Sequence, residues 1–300
     1  MAVPVATGIN AYLVDGPNVL VEKRSKPLAD IPAARFGSKP VDGGNLIVEV
    51  NEYEEVLSDP IAAKYLRPFR MGRELVRGLD RWCLWLVNLE PGDVERSEIL
   101  RSRIEAVKEK RLASKKKATQ ESARYPHLFQ ENHQPELPYV GIPRVVSESR
   151  PYYTAQHLGP EVIAGDKVYT AIDPDGLLFS LVSSSMFMTW QRTVGGRLKS
   201  DLNFSNTITW NNFPVPGLTD KQREAIIKAG KKVLAARALH PERSLAEHYA
   251  PLSMDPELVK AHDALDREVD KAFGAPRKLT NERQRLELLF RNYSEMTESG

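Results

Sequence analysis

A chain of 300 residues, 41% hydrophobic and 27% charged, is long enough to bury a core and too apolar to be disordered throughout. No apolar run approaches the ~20 residues of a membrane span, and Met1-Ala2-Val3-Pro4-Val5 lacks the basic and apolar regions of a secretory signal. The single cysteine, Cys83, excludes an internal disulfide or a Cys-rich zinc site and points to a reducing, cytoplasmic compartment, while the formal charge of +2 excludes a uniformly basic protein.

The opening alternates turn formers (Asp15-Gly16-Pro17-Asn18, Ser25-Lys26-Pro27, Val41-Asp42-Gly43-Gly44-Asn45) with short β-like runs at 19–21 and 46–50. Residues 60–75 read as a helix broken by Pro68, and the aromatic, apolar run 81–87 reads as a buried strand. After the turn Pro91-Gly92-Asp93, the Glu-, Lys-, Arg-, Ala- and Leu-rich stretch 94–123 predicts one helix. Leu100, Ile104 and Val107 form its single apolar stripe, and Lys115-Lys116-Lys117 near its C-terminal part would suit the helix dipole. Prolines punctuate a loop-rich stretch, 125–165, with short strands expected at 139–142 and 145–146. Residues 167–172 predict a strand, 177–193 a mostly apolar helix ended by Gly195-Gly196, and 204–210 a further β-region. Trp190, Trp210, Met186 and Met188 read as core. Beyond Pro214-Val215-Pro216-Gly217 the chain becomes helical. Thr219-Asp220-Lys221-Gln222 is a capping box, Asp255-Pro256-Glu257 opens a second helix that Gly274 closes, and 281–297 predicts a third. The whole reads as α+β, with a small all-helical unit at 218–300 joined by a proline hinge.

Motifs that carry chemistry are sparse. The six histidines are scattered, with no HExxH, and neither GxxxxGK[ST] nor GxGxxG is present. Gly195-Gly196-Arg197-Leu198-Lys199-Ser200 only superficially resembles a phosphate loop, since it follows a helix rather than a strand. No lysine has Asp or Glu two positions before it, as many nucleases require, and Ser183-Ser184-Ser185 lies outside a Gly-x-Ser-x-Gly elbow and reads as small-residue helix packing. What stands out is charge. Between Arg101 and Arg124 nine bases meet three acids, which suits either an anionic contact surface or a solvated helix face.

Several segments, in order and spacing, resemble one family. They are Asp42-Gly43-Gly44-Asn45-Leu46-Ile47, Arg81-Trp82-Cys83-Leu84-Trp85-Leu86, and Ser114-Lys115-Lys116-Lys117-Ala118-Thr119 leading to Tyr125-Pro126-His127-Leu128-Phe129. They continue with the run Ile142-Pro143-Arg144-Val145-Val146-Ser147-Glu148-Ser149-Arg150-Pro151-Tyr152-Tyr153, then Val194-Gly195-Gly196-Arg197-Leu198-Lys199-Ser200-Asp201 and Trp210-Asn211-Asn212-Phe213-Pro214. Together they resemble the C-terminal part of MmeI-like restriction–modification enzymes and related adenine-specific DNA methyltransferases. The resemblance implies the tail of a methyltransferase domain at 1–20, a target recognition domain at 21–217 and a C-terminal helical domain at 218–300. It implies double-stranded DNA and an upstream methyltransferase domain or subunit as partners, and no membrane. The Gly-rich cofactor loop and the [NSD]-P-P-[YFW] motif are absent from these residues, and Asn211-Asn212-Phe213-Pro214 has similar letters in the wrong order. S-adenosylmethionine is therefore expected in the upstream domain, and this chain alone is expected to transfer no methyl group.

The same resemblance singles out base readers and phosphate contacts. Glu148, Arg150 and Tyr152 alternate along a proline-flanked segment, which as a strand would put all three on one face. A carboxylate can accept from cytosine N4 and an arginine can bridge guanine O6 and N7. Read from residue types alone, the same three are a surface ion pair beside a tyrosine. Lys115, Lys116, Lys117, Arg197 and Lys199 are the phosphate candidates, Arg197 being equally suited to bonding carbonyls at a helix end. Two other readings remain open: a protein–protein interaction subunit whose basic helix docks an acidic partner, and a small enzyme with an unread site.

Overall fold

The structure, a computed structural model, describes residues 10–12 and 19–298, so most of the expected tail at 1–20 lies outside the described residues. The first half of the chain holds β1 (Arg35–Phe36), β2 (Ile47–Val48), α1 (Tyr53–Ser58), β3 (Leu66–Arg70), α2 (Gly72–Arg77), β4 (Trp82–Leu84), α3 (Asp93–Arg96), α4 (Glu98–Leu112) and α5 (Lys117–Ser122). Two expectations fail here. The helix expected at 60–75 is instead a 3-10 turn, Ala62–Tyr65, followed by β3 and then α2. Pro68 has no N–H and obstructs a helix interior, whereas in β3 it sits opposite Trp82 of β4. The single helix expected at 94–123 is three. Ser97 starts α4 by accepting from the Leu100 N–H at 3.1 Å, and after Ala113 the chain restarts as α5 at Lys117. The lysine triplet thus precedes a helix N-terminus, and the C-terminal dipole argument for it is lost.

The second half holds β5 (Tyr139–Pro143), β6 (Val145–Val146), β7 (Gln156–Leu158), β8 (Ile163–Ala164), β9 (Val168–Ile172), α6 (Leu177–Val182), α7 (Ser185–Val194), β10 (Gly196–Leu198) and β11 (Asp201–Asn203). After these come α8 (Asp220–Arg237), α9 (Leu245–His248), α10 (Pro256–Ala272) and α11 (Glu282–Glu298). The expected helix 177–193 breaks at Ser183-Ser184, because the Ser184 hydroxyl accepts from the Phe187 N–H and opens α7. Ser184 is therefore a helix cap rather than packing filler. The β-region expected at 204–210 is a π-helical turn, Asn206–Trp210, opened by Ser205; the strand is β11, just before it.

Among the described residues, three sheets result. One has the order β1-β9-β5-β7, all antiparallel. A second has the order β2-β4-β3-β8, with β3 and β8 parallel. The third, β10-β11-β6, is small and antiparallel and carries the β10–β11 hairpin beside β6. The second sheet packs on α4 around Leu46, Val48, Leu84, Leu100 and Val107, and encloses Cys83, whose thiol burial pushes well up from its usual pKa.

The other large core joins α6 and α7 to the C-terminal helices. It includes Trp190, Trp210, Met186 and Met188, as expected, together with Val233, Leu265 and Phe290. The sequence boundary near 217 is thus crossed by a continuous core. Gly230 of α8 shows how close the approach is: a Cβ there would stand 1.8 Å from the Ser180 hydroxyl of α6. The Trp210-Asn211-Asn212-Phe213 run ties this core together. Asn212 Nδ2 donates to the carbonyls of Glu22, Thr207 and Ile208, the Tyr293 hydroxyl donates to Asn212 Oδ1 at 3.3 Å, and Trp210 Nε1 donates to Pro32 O at 2.9 Å. Among the described residues no helix is long and apolar enough to cross a membrane.

Candidate nucleic-acid interface

The segment from Ser147 to Tyr152 is a turn, not a strand. The Arg150 N–H donates to Ser147 O at 3.3 Å, closing it directly after β6. Glu148 projects at the exposed tip, where Arg197 of β10 donates to its Oε2 at 2.8 Å and to Ser200 O at 2.9 Å. Arg197, offered by the sequence as a phosphate contact or a donor to helix-end carbonyls, here pairs with a carboxylate and satisfies a carbonyl within the hairpin rather than at a helix end. About half of each side chain of this pair remains exposed, so solvent screens it. Arg150 is half-buried and donates to Leu245 O of α9 at 3.3 Å. Burial, with the charge of Arg77 nearby, lowers its pKa, and Asp201 opposes that shift.

Tyr152 does not share their face. Its ring stacks on His262 of α10 at 3.8 Å and its hydroxyl donates to Asp266 Oδ2 at 3.4 Å, so the common face expected for Glu148, Arg150 and Tyr152 is not formed. A turn rotates successive side chains away from the alternation a strand would give, and the buried polar groups of α10 supply the tyrosine with a partner. The Asp266 carboxyl also accepts from the Ser185 N–H and hydroxyl, and its burial lifts its pKa to about 6.

Beside the turn lies a groove of about 530 Å³. Arg73 and Arg77 of α2, Arg144, Arg150 and Lys167 line it, with Asp201 as its one acidic side chain. Arg144 donates to Asn203 Oδ1 at 3.3 Å and Lys167 pairs with Asp166 at 3.0 Å, while among the described residues neither Arg73 nor Arg77 forms an ion pair with a carboxylate. Only Arg150 of these five was singled out from sequence. Arg73 and Arg77 stand four apart, one turn of helix, a signal hidden because 60–75 read as a helix that ended before Arg77. Arg144 and Lys167 meet through the backbone bond from the Arg144 N–H to Lys167 O at 3.0 Å, a juxtaposition no local pattern announces.

The hairpin rim adds Lys199. It occupies the two-residue loop between Leu198 and Asp201 with φ 57°, a left-handed conformation that favours glycine or asparagine. Lys115, Lys116 and Lys117 form a separate exposed cluster before and at the start of α5. Near them Lys39, Lys110 and Lys116 line a second cleft of about 560 Å³, with Glu131 as its acidic member.

The basic stretch 101–124 divides by role. Arg111 is buried, and its guanidinium donates to the carbonyls of Pro40, Val41, Ser122, Tyr125 and Leu128. Arg103 donates to Asn45 O and Ile47 O and pairs with Glu52. These two hold loops to α4 and have few donors left for an outside anion. The strip is thus a solvated face whose lysines remain exposed, with structural arginines on its inner side.

The profile of the MmeI target recognition domain matches residues 15–217, and that of the MmeI C-terminal domain matches residues 218–299. The chain is 33% identical over 295 residues to DNA methyltransferase A of Bacillus subtilis (strain 168), covering 98% of this chain and 33% of that protein. It also superposes on the type IIL restriction–modification enzyme MmeI, solved in complex with DNA, with a TM-score of 0.88 and 36% identity over 98% of this chain and 39% of that one. The chain thus spans about a third of the length of its relatives. It belongs to the MmeI family, as that family's target recognition domain followed by its C-terminal domain.

Proposed function

We propose that this chain is the sequence-specific, duplex-DNA-recognising part of a restriction–modification DNA methyltransferase. The observation that carries the reading is the groove in which five cationic side chains face one carboxylate, directly beside the turn that holds Glu148 and Arg150. Arg73, Arg77, Arg144 and Lys167 would contact phosphates and fix the register of the duplex, with Arg197, Lys199 and, on the separate cluster, Lys115, Lys116 and Lys117 adding to the positive surface. Glu148 and Arg150 would read base edges, the carboxylate accepting from a cytosine amino group and the guanidinium bridging guanine O6 and N7. Tyr152 would back the turn from behind through His262 and Asp266, a supporting role in place of base contact.

Methyl transfer would be the work of a methyltransferase domain that supplies S-adenosylmethionine and flips the target adenine, in the same protein or on another chain, in the cytoplasm. Within these residues the expected activity is binding. The test is selection of bound duplexes from a randomised pool at low and then moderate salt. An enriched motif that changes when the Glu148 and Arg150 pair is exchanged for other pairs supports the reading. Salt-sensitive binding without a motif reduces the chain to a backbone-binding surface. Saturable binding to a protein partner, with none to DNA at low salt, overturns the reading in favour of an interaction subunit.

A further inference from the structure

The reading turn is held from outside its own sheet. Arg192, in the last turn of α7, donates through one guanidinium nitrogen to Glu148 O at 3.3 Å and to Arg150 O at 3.0 Å. Its other terminal nitrogen pairs with Glu282, the first residue of α11. That helix is itself fixed. Arg285 forms a two-pronged ion pair with Asp270 of α10 at 2.9 and 2.8 Å, and Tyr293 bonds Asn212. The guanidinium therefore links the carbonyls of the two candidate base readers to the C-terminal helices.

We infer that Arg192, oriented by Glu282, is a positioning residue for base discrimination: it fixes the backbone from which Glu148 and Arg150 project, without touching DNA itself. This rests on the reading that those two side chains contact bases. The physical reason is the steepness of hydrogen-bond geometry. A contact to a base edge discriminates only when its atoms are held near their best distance and angle, and a surface turn of four residues samples many backbone states unless its carbonyls are tied. Capturing both carbonyls with one guanidinium nitrogen, while the other is held by Glu282, removes that freedom from the two residues together. Glu282 is half exposed and Arg192 about a quarter exposed, so solvent screens the pair and its contribution to folding is small beside its hold on the turn.

The experiment compares the 300-residue chain with Arg192→Ala, Arg192→Lys and Glu282→Ala. It reads the enriched motif position by position, binding to a duplex without the motif at low salt, and the thermal midpoint. Arg192→Ala lowers discrimination about tenfold at the positions that move when Glu148 and Arg150 are exchanged, and leaves other positions, motif-free binding and the midpoint essentially unchanged. Glu282→Ala lowers discrimination at the same positions, about threefold, since the carbonyl bonds persist but lose their anchor. Arg192→Lys falls between wild type and alanine, because a flexible ammonium can reach the carbonyls but lacks the planar guanidinium's second nitrogen for Glu282.

The two alanine variants change net charge in opposite directions. A purely electrostatic role would weaken all binding in one and strengthen it in the other at constant discrimination, and that result overturns the proposal. So does undiminished discrimination in Arg192→Ala while the Glu148/Arg150 exchange still shifts the motif, an outcome that leaves the base-reading assignment intact. If the exchange shifts nothing, the base-reading assignment fails first and the proposal falls with it.

Discussion

Two basic regions of this molecule differ in how they are built. The stretch 101–124 is contiguous in sequence and conspicuous there, yet its arginines 103 and 111 point inward and hold loops to α4. The groove beside β6 draws its cations from four separate places, α2, the β5–β6 junction, the turn after β6 and the start of β9, and no local excess of charge announces it. A run of like charges therefore marks a segment worth inspecting, while the surface with the best-placed cations is a product of folding. Buried guanidinium groups serve carbonyls; exposed ones lining a concave surface are available to phosphate.

The comparison breaks most sharply at Arg111. Replacing it by alanine leaves five carbonyls without their shared donor, at an expected cost of about 3–5 kcal/mol, measured as a drop in the denaturation midpoint before any DNA is added. A fully stable Arg111→Ala protein with weakened DNA binding would instead make this residue a ligand contact.

Next comes a head-to-head of the two surfaces. The triple variant Arg73→Ala, Arg77→Ala, Arg144→Ala is expected to lose about a hundredfold in affinity at moderate salt. Its log–log salt slope should shrink by about 2 to 3. The triple variant Lys115→Ala, Lys116→Ala, Lys117→Ala is expected to lose less than about tenfold. The reverse ranking, read from titrations at several salt concentrations, would return the DNA track to the contiguous strip.

The helices behind the groove carry a titrating group that sharpens the contrast further. Burial, opposed by bonds from Ser185 and the charge of Arg285, raises the Asp266 carboxyl to about 6, above the ordinary carboxylate value near 4. Between those values the folded chain keeps a proton the unfolded chain has released, so stability falls as pH rises from about 4 to 6. Asp266→Asn removes that fall. The wild type should gain about 1.4 kcal/mol relative to the variant on going from pH 7.5 to 5, and parallel pH profiles would show that Asp266 is not strained by its charge.

The smallest effect is expected at the hairpin tip. Lys199→Gly relieves the left-handed backbone, stabilising by about 1 kcal/mol or less, yet removes a cation and lowers the salt slope by about one. Stabilisation without any change in slope would mean that Lys199 does not contact DNA.

Local chemistry was legible wherever it was self-contained. The capping box at Thr219 and the Asp255-Pro256 start placed α8 and α10 nearly to the residue, because a cap satisfies its own helix. Buried tryptophans and methionines followed from the apolar run around them. Errors came where two local rules competed and a distant partner decided. Pro68 could end a helix or sit in a strand, and β4 settled it; Ser184 could pack or cap, and the break before α7 settled that.

The candidate site divides the same way. By itself the sequence determined the three long helices of the C-terminal region (though not the short α9), the basic character of 101–124 and, through ordered motifs, the family to which the chain belongs. Only the tertiary structure decided that Arg73, Arg77, Arg144, Arg150 and Lys167 share one groove, that Arg111 faces inward, and that Tyr152 leans on α10 rather than standing with Glu148. The physical reason is range. Caps, turns and periodicity are set by neighbours within a few residues, whereas a charged groove and the brace behind it are set by which distant backbones are brought together when the cores close.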